Sequence, residues 1–111
     1  MKQIEYYVTD SGKCPFHEWL CELSISFQVR IEKRINRLKD GLYGDCKKLS
    51  NSQLSELRFD FGKGYRVYYK DLDDKIIIIL AGSDKSDQIK VIKQANIYYE
   101  EYLRSKEHAN N

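Results

Sequence analysis

Between Glu56 and Tyr69 the chain reads ELRFDFGKGYRVYY, with apolar and polar residues alternating on both sides of Gly-Lys-Gly. Alternation at period two marks a strand with one buried face. Leu57, Phe59 and Phe61 share one face of the first run, and Glu56, Arg58 and Asp60 share the other. In the second run Tyr65, Val67 and Tyr69 oppose Arg66, Tyr68 and Lys70. A two-residue turn at Gly62-Lys63 would pair Phe59 with Arg66 and mix the faces. A three-residue turn, Gly62-Lys63-Gly64, pairs Phe61 with Tyr65 and Phe59 with Val67, and glycine supplies the left-handed residue such a turn needs. That register sets Arg58 opposite Tyr68 and Asp60 opposite Arg66, with Lys63 at the tip.

The same reasoning predicts the other elements. Residues 2–8 form a first strand, and Thr9-Asp10-Ser11-Gly12 turns the chain. Pro15 suits an early helical position, and Phe16, Trp19, Leu20 and Leu23 make a helical stripe. A second helix carries Phe27, Ile31, Ile35 and Leu38 on one face and Arg30, Lys33, Arg34 and Arg37 largely on the other, with Gly41 as its stop. Residues 42–50 are a loop or short edge strand. After a turn at 71–74, the run IIIILAG leaves no polar face and reads as a central strand buried on both sides. A last helix follows, capped by Ser86 or Asp84, with Ile89, Ile92, Ala95 and Tyr99 facing the core. The expected architecture is α+β: an antiparallel sheet with an N-terminal helical hairpin and a C-terminal helix. Residues 1–104 form one domain and 105–111 a flexible tail.

Length and composition agree with one globular domain. The chain has 111 residues, 41% of them hydrophobic and 32% charged, which supports one core and argues against disorder. The net charge of +2 is unevenly spread. Segment 28–48 has seven Lys/Arg against three acids and segment 58–70 has four against one, whereas segment 71–87 has two against five. The basic half suits a polyanion partner, and the acidic segment argues against a nonspecific nucleic-acid coat. Cys14, Cys21 and Cys46 form no Cys-x-x-Cys pair, so neither a disulfide framework nor a zinc site is expected, and reduced thiols fit a cytoplasmic protein. The start, MKQIEYYV, lacks a signal-peptide pattern, and no apolar run is long enough to span a bilayer.

The available chemistry is narrow. His17 and His108 are the only histidines, and neither lies near the alternating strands in sequence, so a two-histidine ribonuclease or a Ser-His-Asp triad is not expected. The acids cluster in the turn at 71–74, which supports a metal site poorly. Cations, tyrosines and a few carboxylates remain, and such a set can cleave RNA without metal. Attack of a 2′-hydroxyl on the neighbouring phosphate needs in-line orientation, stabilisation of phosphoryl charge and help for the leaving oxygen. Arginine suits the phosphate because its planar fork is bidentate and permanently charged. Asp84, Lys85 and Tyr68 are candidate acids and bases. AGSDKSDQ, from a strand end into a helix start, adds Lys85 to a place that attracts anions. From the residues alone, the same face also reads as an ordinary solvent-facing sheet with cross-strand ion pairs.

The run L-x-E-L-R-x-x-x-G-x-G-Y-R-V-Y-Y, Leu54 to Tyr69, resembles the RelE/HigB superfamily of toxins from bacterial type II toxin–antitoxin modules. It is most similar to the phage-derived addiction module killer branch. The G-x-D-K-S-x-Q run, Gly82 to Gln88, and R-I-N-R-L-K-D-G-L-Y-G-D, Arg34 to Asp45, match that branch too. The resemblance implies a RelE/ParE-like fold and a cytoplasmic, ribosome-associated mRNA endonuclease that needs no metal or other cofactor. It implies inhibition by a cognate antitoxin, often a helix-turn-helix protein, and no membrane partner. By motif position Arg66 matches the phosphate-binding arginine, and Asp84, Lys85 and Tyr68 join it as catalytic candidates. Arg58, Lys63, Arg37, Lys47, Lys48 and Gln88 are the RNA-binding candidates. The superfamily also holds ParE-like DNA gyrase inhibitors without nuclease activity, and an inactive antitoxin-binding relative is a further alternative.

Overall fold

An isoleucine run with no polar face must be covered on both sides and at both edges, and the architecture follows from that need. The structure, a computed structural model, describes residues 1–109. The elements in order are β1 (Gln3–Tyr6), α1 (Pro15–Leu20), α2 (Ile25–Arg37), β2 (Cys46–Lys48), β3 (Ser55–Arg58), β4 (Arg66–Asp71), β5 (Ile76–Ser83) and α3 (Gln88–Ala109). Short 3₁₀ turns, Leu38–Asp40 and Lys85–Asp87, follow α2 and precede α3. The five strands form one sheet in the order β1-β5-β4-β3-β2.

The fold is α+β with a C-terminal helix, but its sheet is mixed rather than antiparallel. β1 runs parallel to β5, with Gln3 paired to Ile76 and Tyr6 to Ile79, while the other pairs are antiparallel. β5 is a central strand, so its second edge needs a partner, and β1 fills it. Side chains along β5 then alternate between two cores. Ile77 and Ile79 pack with Phe16, Leu20, Ile31, Ile35 and Leu38 beneath α1 and α2. Ile78 and Leu80 pack with Tyr68, Ala95 and Tyr99 beneath α3.

The helices begin and end where local chemistry dictates. Pro15 opens α1, and the Ser24 hydroxyl caps α2 by accepting from Phe27 N. Gly41, with φ of 77°, ends the turn after α2 in the left-handed conformation that glycine adopts without strain. The helical stripes hold with one exception. Ile89, expected in the core, is 78% exposed, because in the first turn of α3 it is Gln88, bonded to Glu56 of β3, that faces the sheet. The same helix continues to Ala109, through part of the 105–111 segment expected as a tail. Residues 110 and 111 lie outside the described residues. No described helix is long and apolar enough to cross a membrane.

The β3–β4 hairpin corrects the expected register. Leu57 pairs with Val67, Arg58 with Arg66 and Glu56 with Tyr68. The expected pairs Phe59–Val67, Arg58–Tyr68 and Asp60–Arg66 are each displaced by two residues. Phe59 N donates to Tyr65 O, and Gly64 N donates to Phe61 O across a tight turn. The loop is therefore residues 60–64, not Gly62-Lys63-Gly64 alone. Phe61 is drawn out of the strand because its ring packs against Phe27, with centroids 5.0 Å apart, and lies under the Arg30 guanidinium at 3.8 Å. A shift of two keeps every side chain on its expected face.

Candidate functional site

The polar face of β3 and β4 continues into neighbouring elements. Asp45, Arg58, Arg66 and Ser83 lie in one cross-strand row, since Arg58 N donates to Asp45 O and Arg66 pairs with Ser83. Helix α3 covers the adjoining row at Tyr68 and Ala81. At the uncovered end a surface hollow of about 320 Å³ is lined by Asp45, Arg58, Phe59, Asp60, Gly64, Arg66 and Lys85. The 60–64 loop and the turn before α3 meet at its rim, where Lys85 N donates to Lys63 O at 3.4 Å. Lys63, Asp84, Lys85 and Ser86 line a second hollow next to it.

Arg66 is half-buried and held from beneath. Its Nη1 donates to the carbonyls of Tyr65, Gly64 and Phe59 at 3.0, 3.3 and 3.5 Å. Its Nε is buried with no hydrogen-bond partner. A fork fixed along one side in this way has little rotamer freedom left to lose on binding an anion. Arg58 donates from Nε and Nη2 to a single Asp45 carboxylate oxygen. Lys85 is exposed, and a Cβ placed on Gly64 would lie 3.5 Å from the Lys85 Cβ.

Two catalytic candidates take structural positions instead. Tyr68 is fully buried. Its hydroxyl shares a 2.8 Å hydrogen bond with Ser83 Oγ. Burial pushes the phenol up to about 12, and the Ser83 bond offsets only part of the shift. In this position the Tyr68 hydroxyl is shielded from solvent. Asp84 caps the turn into α3: its Oδ1 accepts from Ser86 Oγ at 2.6 Å, Ser86 N at 2.9 Å and Asp87 N at 3.2 Å. The Ser86 hydroxyl, helped by the two amides and the nearby Lys63 charge, holds the Asp84 carboxyl below its ordinary range. A carboxylate so held is a poor proton donor.

The RNA-binding candidates divide. Arg58 lines the main hollow and Lys63 the adjacent one. Lys47 pairs with Glu56 and so shares the Arg58 face, whereas its neighbour Lys48 pairs with Ser55 on the opposite face. Gln88 is turned inward and donates to Glu56 Oε2 at 3.3 Å. Arg37 lies elsewhere, with Lys2, Ile4, Tyr6 and Lys33 around a hollow of about 850 Å³ between β1 and α2. His17 is likewise remote from the arginine row, its ring 4.7 Å from that of Tyr6.

Three residues escaped sequence reasoning. Asp45 was visible only as the end of a motif, yet its carboxylate sits in the hollow. Glu56 is a carboxylate with 2% exposure, which alternation assigned to a solvent face. Arg34 was assigned to the outer side of α2, but its guanidinium lies 4.6 Å from the centre of the Phe59 ring. No local pattern reports these placements, because each partner lies well along the chain: Gln88 for Glu56, Arg58 for Asp45 and Phe59 for Arg34.

These features define a small α+β protein whose five-stranded mixed sheet carries a cationic hollow at the uncovered end of one face. The chain is 44% identical over 87 residues to a Haemophilus influenzae protein described as an uncharacterized protein, an overlap of 78% of this chain and 87% of that one. It belongs to the same family as that protein. No family model and no solved structure matches it.

Proposed function

We propose that this protein is the toxin of a bacterial type II toxin–antitoxin module, a RelE/HigB-like, metal-independent endonuclease that cuts ribosome-bound mRNA in the cytoplasm and so inhibits translation. The N-terminal helices would then be the family's helical hairpin and the architecture its RelE/ParE-like fold. The observation that carries the reading is the convergence of Arg58, Arg66 and Lys85, from three separate elements, on one hollow.

In the proposed reaction the 2′-oxygen of one nucleotide attacks the adjacent phosphorus and the 5′-oxygen of the next leaves. The products are a 2′,3′-cyclic phosphate and a free 5′-hydroxyl. Arg66, fixed by backbone carbonyls, stabilises charge on the non-bridging oxygens. Lys85, exposed at the rim, is the surviving candidate to assist the leaving oxygen, since Tyr68 is buried and Asp84 is a cap. Lys63 and Lys47 would contact flanking phosphates. The cognate antitoxin, expected to be a helix-turn-helix protein, would act by covering this face.

The test is a purified system of ribosomes programmed with a defined message. Wild-type protein is expected to yield 2′,3′-cyclic phosphate ends, and Arg66→Ala to lower the rate by about 100-fold, the usual loss for one transition-state donor. Intact message with the wild type would end the nuclease reading. A second reading, a ParE-like gyrase inhibitor or an inactive antitoxin-binding relative, draws support from the burial of Tyr68 and the capping role of Asp84. Trapped gyrase–DNA complexes with uncut mRNA would select the gyrase form of it, and survival of a host expressing the chain alone would select the inactive form.

A further inference from the structure

The arginine fork nearest the solvent in this hollow is already occupied. Arg58 Nε and Nη2 lie 3.1 and 3.0 Å from Asp45 Oδ1. That is the edge of the guanidinium a phosphate oxygen would take. Arg58 and Asp45 are 40% and 57% exposed at their side chains, so the ion pair is weak and a more highly charged anion can displace it.

The carboxylate is exposed, but its backbone is pinned. Asp45 O accepts from Arg58 N at 2.9 Å and from Arg34 Nη2 at 3.1 Å. Arg34 also donates to Tyr43 O at 3.3 Å and to Arg58 O at 3.0 Å. Gly44 lets the guanidinium approach this closely: a Cβ there would sit 3.2 Å from Arg34 Nη2, and φ is +64°. One arginine on α2 thus fixes both the loop carrying the carboxylate and the strand carrying its partner. The result is a displaceable acid at the end of a rigid mount.

We propose that Asp45 is a built-in competitor for the anion site: its carboxylate masks Arg58, and a phosphate group occupies the full hollow by displacing it. The identity of that phosphate as RNA rests on the proposed function, whereas the masking does not. Arg66 and Lys85 are the cations left uncovered, so they make first contact, and Arg58 joins only for a ligand with enough charge to displace Asp45. Asp45 is therefore a specificity-determining residue that favours polyanions over single anions.

The experiment uses two probes, inorganic pyrophosphate and a short RNA made uncleavable by 2′-deoxy substitution. Each is titrated against the wild type, Asp45→Asn, Arg58→Gln and the double variant, with thermal melts to verify folding. Asparagine keeps the shape of the side chain and leaves the Arg34 and Arg58 backbone contacts in place. Asp45→Asn is expected to bind both probes about three-fold more tightly, the scale of one exposed ion pair that no longer has to be broken. The log–log salt slope for the RNA should steepen by about 0.7, one released counterion on a single strand. Arg58→Gln alone should bind both probes more weakly, and in that background Asp45→Asn should add no further gain. Unchanged affinity in Asp45→Asn overturns the proposal. So does a gain that survives in the double variant, because it would reflect net charge alone, and so does a failure of every variant to bind either probe. Pyrophosphate following the expected pattern while RNA binds no variant would uphold the masking and defeat the RNA reading.

Discussion

Gly82 shows how much one missing side chain can decide. It lies in β5 against the Trp19 indole, and a Cβ there would come within 2.2 Å of the ring. Trp19 is wedged between Phe16 and Tyr65, with centroids at 5.8 and 5.9 Å, so the ring has little room to retreat. Gly82→Ala should cost about 1–3 kcal/mol by overpacking, read as a lower denaturation midpoint with a shifted Trp19 emission. Asp84 makes a second prediction at this scale. Its folded pKa lies below the ordinary 3.8. Its stabilisation is therefore complete above that value and is lost as pH falls through the lower folded one. Wild type should lose stability relative to Asp84→Asn on acidification below about pH 4, since asparagine caps without titrating. Acid denaturation midpoints of the two proteins compare them directly. The Asp84 cap and the Gly41 stop were legible in the sequence because they depend on neighbours a few positions away. Glu56 was not, because α3 and Gln88, far along the chain, bury it.

At the scale of elements, Arg34 does more than decorate α2. Its three carbonyl contacts in the 43–45 loop and β3 need a planar fork, which a lysine ammonium cannot reproduce. Arg34→Lys should destabilise the protein by about 1–3 kcal/mol, the cost of leaving partly buried carbonyls unpaired. The amide of Arg58 should exchange markedly faster, because its acceptor is Asp45 O. Hydrogen exchange on the variant reads both effects. The hairpin marks what pattern alone can give. Alternation fixed the face of Arg58 and Arg66, but it is blind to a slip of two residues. Gly-Lys-Gly looked like a complete turn, and it was the packing of Phe61 on Phe27 and Arg30 that lengthened the loop. Arg58 therefore meets Arg66 across the ladder instead of Tyr68, and Asp45, from the edge side, supplies the compensating charge.

The molecule as a whole is a sheet between two unequal covers. One face carries α1, α2 and an aromatic cluster, and the other relies on α3, with Tyr7 and Leu54 beside it, to bury Tyr68, Ile78, Leu80 and Ala81. Truncation before Gln88 would expose that second core and should abolish cooperative unfolding, with strong binding of a hydrophobic dye. Retention of a sharp thermal transition would contradict this account of the two cores. The helices and the central position of β5 were legible from hydrophobic period and run length. The parallel docking of β1 was not, since nothing local in KQIEYYV names a partner so far along the chain.

That docking has a consequence in time. Gln3 pairs with Ile76 and Tyr6 with Ile79, so the first strand made must wait for nearly the last. Closing such a long loop is slow compared with local helix formation. A ribosome translating these residues must therefore decode β5 before the sheet can close. A product cut short ahead of Ile76 would lack the strand that joins the two cores. The antiparallel β2–β3–β4 unit can pair first, and β1 joins the sheet only once β5 has been made.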